Sequence, residues 1–348
     1  MPDAHENAPA SSSAVKTLNL ALQGGGAHGA YTWGVLDALL EDGRIKIDGV
    51  SGTSAGAMNA VAMAHGFATA AREYKDPQEV QIAGSQMARD TLKRLWEGVG
   101  SMGTMMWGIP MPAAGAFMNM LTQFLSPYQT NPLGINPLRK LLEKEVDFEL
   151  IGSTNAKQVF VCATNVRTGR GEIFTGPRLS ADAVMASACL PMLFKAVEID
   201  GEHYWDGGYS GNPAIYPLIY RTEASDILLV QINPIDHDRL PDDAQEIMER
   251  VNEVTFNAGL LAELRAIEFV RRLLAEGKLD NRRYKNVLMH RIDGGAVLAP
   301  MGAASKMRTD RAFLRQLFEL GRESGTHWLH SHFADIGVRP TLKLTDNA

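Results

Sequence analysis

Ile45-Lys46-Ile47-Asp48-Gly49-Val50-Ser51-Gly52-Thr53-Ser54-Ala55-Gly56 is the stretch whose reading decides the fold. Ile45 to Val50 reads as a short strand. Ala55 to His65, rich in Ala, Met and Val and free of proline, predicts a helix. Between them, Gly52-Thr53-Ser54-Ala55-Gly56 puts one serine on a strand-to-helix turn, with a glycine two positions to either side. This is the G-x-S-x-G nucleophile elbow. The spacing has a physical reason: the turn is sharp, and large side chains at Gly52 or Gly56 would strike neighbouring backbone. The strain lifts the Ser54 hydroxyl out of the sheet, toward the positive end of the following helix.

Working outward toward the N-terminus, Leu18 to Leu22 is apolar enough for a buried parallel strand. Gln23 to Gly29 is a glycine loop, and Ala30 to Leu40 carries apolar residues at helical spacing. Strand, loop, helix, strand, elbow and helix in succession predict a three-layer α/β/α sandwich with a mostly parallel central sheet.

Toward the C-terminus, residues 86–97 read as a helix, and Gln158 to Thr164 and Glu172 to Thr175 as strands. Val197 to Ile199 and Glu202 to Trp205 flank Asp200-Gly201, a strong two-residue hairpin signal. Asp226 to Ile232 is a buried strand, Asp242 to Glu276 an amphipathic helix stopped by Gly277, Val287 to Ile292 a late strand, and Ser305 to Trp328 a last helix.

Composition narrows the function. The 348 residues carry a formal charge of −6 with no basic stripe, which argues against nucleic acid as a partner. Cys162 and Cys189 are too few for a disulfide framework or a cysteine metal site and read as buried reduced thiols. Residues 1–14 are small and polar, without a secretory pattern, and read as a disordered tail on a cytoplasmic protein. One domain is expected over 15–335, its C-terminal helical part spanning 242–330, with a tail at 336–348. Residues 98–138 contain no Asp, Glu, Lys, Arg or His but many methionines. Their Pro and Gly interruptions speak against a membrane span. A lid, an acyl-chain wall with peripheral contact to a lipid surface, or plain core packing all fit.

Acyl transfer needs a nucleophile, a base and donors for the oxyanion. Ser54 supplies the first. Gly24, Gly25, Gly26, Ala27, His28 and Gly29 can supply the third, since glycines let successive N–H groups point into one concavity. The same loop matches a dinucleotide fingerprint, Gly24-x-Gly26-x-x-Gly29, with Asp48 about twenty residues on, so a nicotinamide-dependent oxidoreductase is the rival of another class. The elbow weighs against it, because such an enzyme has no use for a strained serine on the next strand. For the base, none of His65, His203, His237, His290, His327, His330 or His332 lies in a recognisable catalytic loop. Asp206-Gly207-Gly208 follows the hairpin strand and reads either as a tight turn or as an acid freed by two glycines to reach Ser54.

Taken in order, Gly24-Gly25-Gly26-Ala27-His28-Gly29, Gly52-Thr53-Ser54-Ala55-Gly56 and Asp206-Gly207-Gly208, with Ser187-Ala188-Cys189-Leu190-Pro191 and Asn212-Pro213 around the last, resemble the patatin-like phospholipases. Glu253 to Leu261 and Ser305-Lys306-Met307 are similar to a bacterial branch of that family. The resemblance implies a patatin-like topology and a Ser54–Asp206 dyad that cleaves lipid carboxylic esters, phospholipase A or lysophospholipase-like, through an acyl-enzyme. It implies no metal and no cofactor. Another intracellular acyl ester or a polyester is an alternative substrate. The family loop usually carries Arg or Lys where this chain has His28, a residue whose charge would vary near neutral pH.

Overall fold

Alternation along the central strands builds two cores at once. The computed structural model describes residues 15–107, 136–153, 157–236 and 239–343. Most of the uncharged stretch at 98–138, with its lid or acyl-wall reading, lies outside the described residues. So do His237 and residues 1–14.

The strands are β1 (Lys16–Leu22), β2 (Ile45–Gly52), β3 (Gln158–Asn165), β4 (Gly171–Phe174), β5 (Val197–Ile199), β6 (Glu202–Asp206), β7 (Asp226–Gln231) and β8 (Leu288–Asp293). The described helices are α1 (Gly29–Asp42), α2 (Ala55–Glu73), α3 (Pro77–Trp107), α4 (Pro137–Glu145), α5 (Phe148–Ser153), α6 (Ala181–Ser187), α7 (Tyr216–Arg221), α8 (Ala244–Ala275), α9 (Gly295–Leu298) and α10 (Arg311–His332).

One sheet runs in the order β5-β6-β3-β2-β1-β7-β8, with β4 also on β3. The run β3-β2-β1-β7-β8 is parallel, and β4, β5 and β6 pair antiparallel. Leu18, Leu20 and Leu22 of β1 join one core, with residues of α1, α2, α3 and α10. Ala21, Ile227 and Leu229 point the other way, into a second core with Leu218 of α7 and Leu260 and Leu264 of α8. Period-two alternation in strands covered on both faces makes the three layers.

The pairing around β3 positions the site. Val161 pairs with Gly52 of β2 and with Phe174 of β4, so those strands lie on opposite edges of β3. Ala163 pairs with Glu172 of β4 and with Asp206 of β6, which puts β6 on the edge that β2 occupies. β2 is parallel to β3 and β6 antiparallel, so their C-terminal ends face each other across two residues of β3. Ser54 and Asp206 lie just past those ends.

Helix boundaries depart from the sequence reading where caps override composition. The helix expected at 86–97 begins at Pro77, because Asp76 accepts hydrogen bonds from the amides of Gln78 (2.8 Å) and Glu79 (3.0 Å). The last helix begins at Arg311 rather than Ser305. Asp310 caps it through the Phe313 amide at 3.0 Å, and Ala303–Met307 form a separate 3-10 turn. Past that helix the chain stays packed: Ile336 and Leu342 are buried, and the amides of Thr341 and Leu342 both donate to the Met289 carbonyl. Cys162 and Cys189 are free, buried thiols. Among the described residues, no helix is long and apolar enough to cross a membrane.

Candidate active site

Ser54 has φ 55° and ψ −120°, a region that non-glycine residues rarely occupy. Such a backbone costs about 1–3 kcal/mol and persists only where its surroundings over-determine it. Those surroundings are named contacts. The Ser54 amide donates to Ser187 Oγ at 2.9 Å, and that hydroxyl donates to the Cys162 carbonyl at 2.5 Å. The Thr53 hydroxyl donates to the Gly211 carbonyl at 2.7 Å. A Cβ on Gly56 would lie 2.2 Å from the Leu22 carbonyl oxygen, so the elbow can close on β1 only without one.

Asp206 comes from the hairpin expected around Asp200-Gly201. Its carboxylate accepts from the Gly208 amide at 2.7 Å, and the Ser54 side chain faces it and favours its charged form. At 2 % exposure it has almost no water. Burial pushes its pKa from the ordinary 3.8 up to about 7, against the opposing pull of the Gly208 amide and Ser54. The tight-turn reading of Asp206-Gly207-Gly208 holds, since one carboxylate oxygen caps the turn, and the same carboxylate faces Ser54.

The described histidines after the elbow are occupied elsewhere. His65 Nδ1 accepts from the Asp147 amide. His203 is exposed in the hairpin, and His290 is buried against Asp226. His327 and His330 are exposed on α10, and His332 contacts Asp335.

The glycine loop reaches the nucleophile. A Cβ on Gly24 would lie 2.7 Å from Ser54 Cβ and 2.6 Å from the Thr53 carbonyl oxygen. Behind the loop is a buried polar lattice. Gly24 N–H donates to Asn212 Oδ1 at 2.7 Å, and its carbonyl accepts from Asn233 Nδ2 at 2.7 Å. Gln23 Oε1 accepts from the amides of Ile232 and Asn233, both at 2.9 Å. The amides of Gly25 and Gly26 have no hydrogen-bond partner among the described residues. Two N–H groups left unspent in a glycine loop are donors available to an anion.

His28 corrects one expectation. Its charge does not vary near neutral pH: burial, with help from Lys306, pushes its pKa from 6.5 down to about 4. The Ser305 hydroxyl donates to the Gly302 carbonyl, so it accepts from His28 Nε2 at 2.6 Å, and the ring is neutral. Asp48 corrects the rival reading. Its carboxylate accepts the amides of Glu223 (2.8 Å) and Ala224 (2.9 Å), which ties it to a turn rather than holding it for a ribose.

A family model described as "Patatin-like phospholipase" matches residues 20–219, more than half of the chain. The chain belongs to the patatin-like phospholipase family. That membership makes it a lipid ester hydrolase. No curated protein matches it. Among solved structures it is similar to VipD from Legionella pneumophila, at 18 % identity over 92 % of this chain and 68 % of that one, with a TM-score of 0.37. It is also similar to a chain in the structure of full-length SpcU with full-length ExoU from the type III secretion system of Pseudomonas aeruginosa, at 15 % identity over 88 % of this chain and 54 % of that one, with a TM-score of 0.31.

In this patatin-like phospholipase several residues that hold the site escaped the sequence reading. Ser187 lay inside a quoted motif without a role. Gln23, Asn212 and Asn233 are single polar residues that show their function only once the loop wraps onto them. A buried amide side chain with every polar atom paired leaves no periodic trace in sequence.

Proposed function

We propose that the protein is a phospholipase A or lysophospholipase-like acyl hydrolase, with Ser54 as nucleophile and Asp206 as general base. The observation that carries this reading is a strained serine facing a buried carboxylate whose pKa lies near neutrality. A base works best when its pKa sits near the operating pH. An ordinary aspartate is too weak to take a serine proton, and burial removes that handicap.

Ser54 Oγ attacks the ester carbonyl carbon as its proton passes to the Asp206 carboxylate. Negative charge builds on the former carbonyl oxygen, where the Gly25 and Gly26 amides and the N-terminus of α2 stabilise it. The C–O bond to the leaving alcohol breaks, and the alcohol takes the proton from Asp206. A water then gives its proton to Asp206 and attacks the acyl-Ser54 ester. The fatty acid leaves, and Ser54 recovers its proton.

The test is a fluorophosphonate probe together with a short p-nitrophenyl ester and a phospholipid. The wild type is expected to be labelled at Ser54 and to release fatty acid. Ser54→Ala, still folded, is expected to lose both labelling and at least about 10^4-fold in kcat. Turnover retained by Ser54→Ala would overturn the assignment.

A further inference from the structure

A positive charge close to the glycine loop comes from far along the chain. Lys306 lies in the 3-10 turn Ala303–Met307, beyond the residues that match the family model. That turn is pressed onto the loop: a Cβ on Gly26 would lie 2.3 Å from the Lys306 carbonyl oxygen, and His28 donates to Ser305. The Lys306 ammonium donates to Asn233 Oδ1 at 2.9 Å. Its nearest carboxylate oxygen, on Glu253, is 3.9 Å away, outside hydrogen-bond range.

The chemistry of these groups fixes the direction of the chain of bonds. An ammonium only donates, so the Asn233 oxygen must face Lys306 and its nitrogen must face the loop. Asn233 Nδ2 then donates to the Gly24 carbonyl at 2.7 Å. That carbonyl belongs to the same peptide group as the Gly25 N–H, one of the two amides left without a partner. Pulling electron density toward the Gly24 oxygen leaves the Gly25 hydrogen more positive, and hydrogen bonds in series strengthen one another in a low-dielectric interior.

We propose that Lys306 and Asn233 are positioning residues that polarise and fix the Gly24–Gly25 peptide, so that the Gly25 amide is a stronger oxyanion donor than an isolated amide would be. This rests on the reading of Ser54 as nucleophile and deepens it. Neither side chain touches substrate. Both act through one peptide group, so their contribution appears as charge develops in the transition state and not when the ester binds.

The experiment measures kcat, KM and the fluorophosphonate inactivation rate for wild type, Lys306→Met, Lys306→Arg and Asn233→Asp, with thermal melting recorded for each. Lys157→Met serves as a control, since Lys157 is buried at the other end of the sheet with its ammonium on the Ile47 carbonyl. Lys306→Met is expected to lower kcat and the inactivation rate together by about tenfold, leaving KM within about twofold. Lys306→Arg keeps the charge and is expected to recover most of that loss. Asn233→Asp keeps a partner for Lys306 but puts an acceptor against the Gly24 carbonyl, so its kcat is expected to fall at least as far. It decides the matter if Lys306→Met does not fold.

A kcat for Lys306→Met within about twofold of wild type would overturn the proposal. So would a loss confined to KM, an equal loss in Lys157→Met, or an unchanged kcat in Asn233→Asp. The underlying reading is tested separately, by whether wild-type turnover and labelling require Ser54. If they do while the Lys306 and Asn233 variants match wild type, only the inference about the relay fails.

Discussion

Two buried carboxylates lie on opposite sides of β1 in the same sheet, and among the described residues only one of them is bonded to a histidine. Asp226, at the start of β7, accepts from His290 Nε2 at 2.8 Å, and His290 Nδ1 lies 3.2 Å from the Thr341 hydroxyl. Hydroxyl, imidazole and carboxylate in a row are the components of a hydrolytic triad. Asp206, at the end of β6, meets Ser54 with no imidazole between them. Composition alone would favour the Asp226 side.

What separates the two is everything around the hydroxyl. Thr341 lies in a segment bonded through its backbone to β8. Asp226 Oδ1 also accepts the Gly337 amide at 2.8 Å, so that acid and its histidine are fully spent fastening the end of the chain. Ser54 has a strained backbone, a helix N-terminus and a loop with two unpaired amides. It also lies at the C-terminal ends of the parallel strands, where α/β sheets open their crevices. A nucleophile is recognised by its backbone and by the donors around it more than by an acid–histidine pair.

The largest effect that can break this contrast is expected at Asp206. Asp206→Asn keeps the shape and removes the base, and kcat is expected to fall by about 10^3-fold. In the wild type, kcat/KM is expected to rise with pH through about 7, because only the ionised carboxylate accepts the Ser54 proton. Stability should run the other way. An aspartyl pKa raised in the folded state means that folding favours the protonated form. This contribution is complete below about pH 4, the unfolded value, and is lost as pH climbs to about 7. Asp206→Asn should therefore gain on the wild type between pH 4 and pH 8, by on the order of a few kcal/mol at the upper end. Denaturant melts at both pH values check the sign. A gap that shrinks as pH rises would mean that Asp206 is stabilised as an anion.

The contrast also marks what sequence could reveal. The elbow, the glycine loop and the Asp206 hairpin were legible because each obeys a local steric rule: a glycine where backbone crowds, a two-residue turn between short strands. The apolar run Leu18 to Leu22 likewise announced a buried parallel strand. The meeting of Ser54 with Asp206 followed from the family resemblance, while its geometric cause is the shared edge of β3, set by long-range pairings that no local pattern encodes. Lys306, Asn233 and Ser187 were illegible as parts of the site because each acts through a single long-range contact. His28 was misread for the same reason. Its charge depends on burial under a turn that reaches it from residues 303–307.

A smaller effect, on stability alone, is expected on the Asp226 side. His290→Gln leaves Asp226 buried without its ring partner and should cost about 3 kcal/mol. The ester-hydrolysis kcat, measured below the melting range of each protein, should stay within about twofold of wild type. Breaking a buried pair penalises folding, but nothing in that pair touches Ser54. A loss of turnover comparable to that of Asp206→Asn would bring the histidine into catalysis and collapse the distinction between the two sides.

The smallest and sharpest test is Thr341→Val, which deletes the third member of the false triad while keeping its volume. At 3.2 Å the His290–Thr341 contact is long for a hydroxyl bond, and Thr341 and Leu342 remain held through their amides on Met289. The substitution should therefore cost only about 1 kcal/mol in denaturant titration. The fluorophosphonate should label the variant at the wild-type rate. Were Thr341 a second nucleophile, its loss would lower labelling stoichiometry even with Ser54 intact. Intact-mass measurement of the labelled wild type separates the cases: one adduct per chain, lost in Ser54→Ala and kept in Thr341→Val, is expected if backbone strain and oriented amides, not the neighbouring histidine, make a hydroxyl reactive.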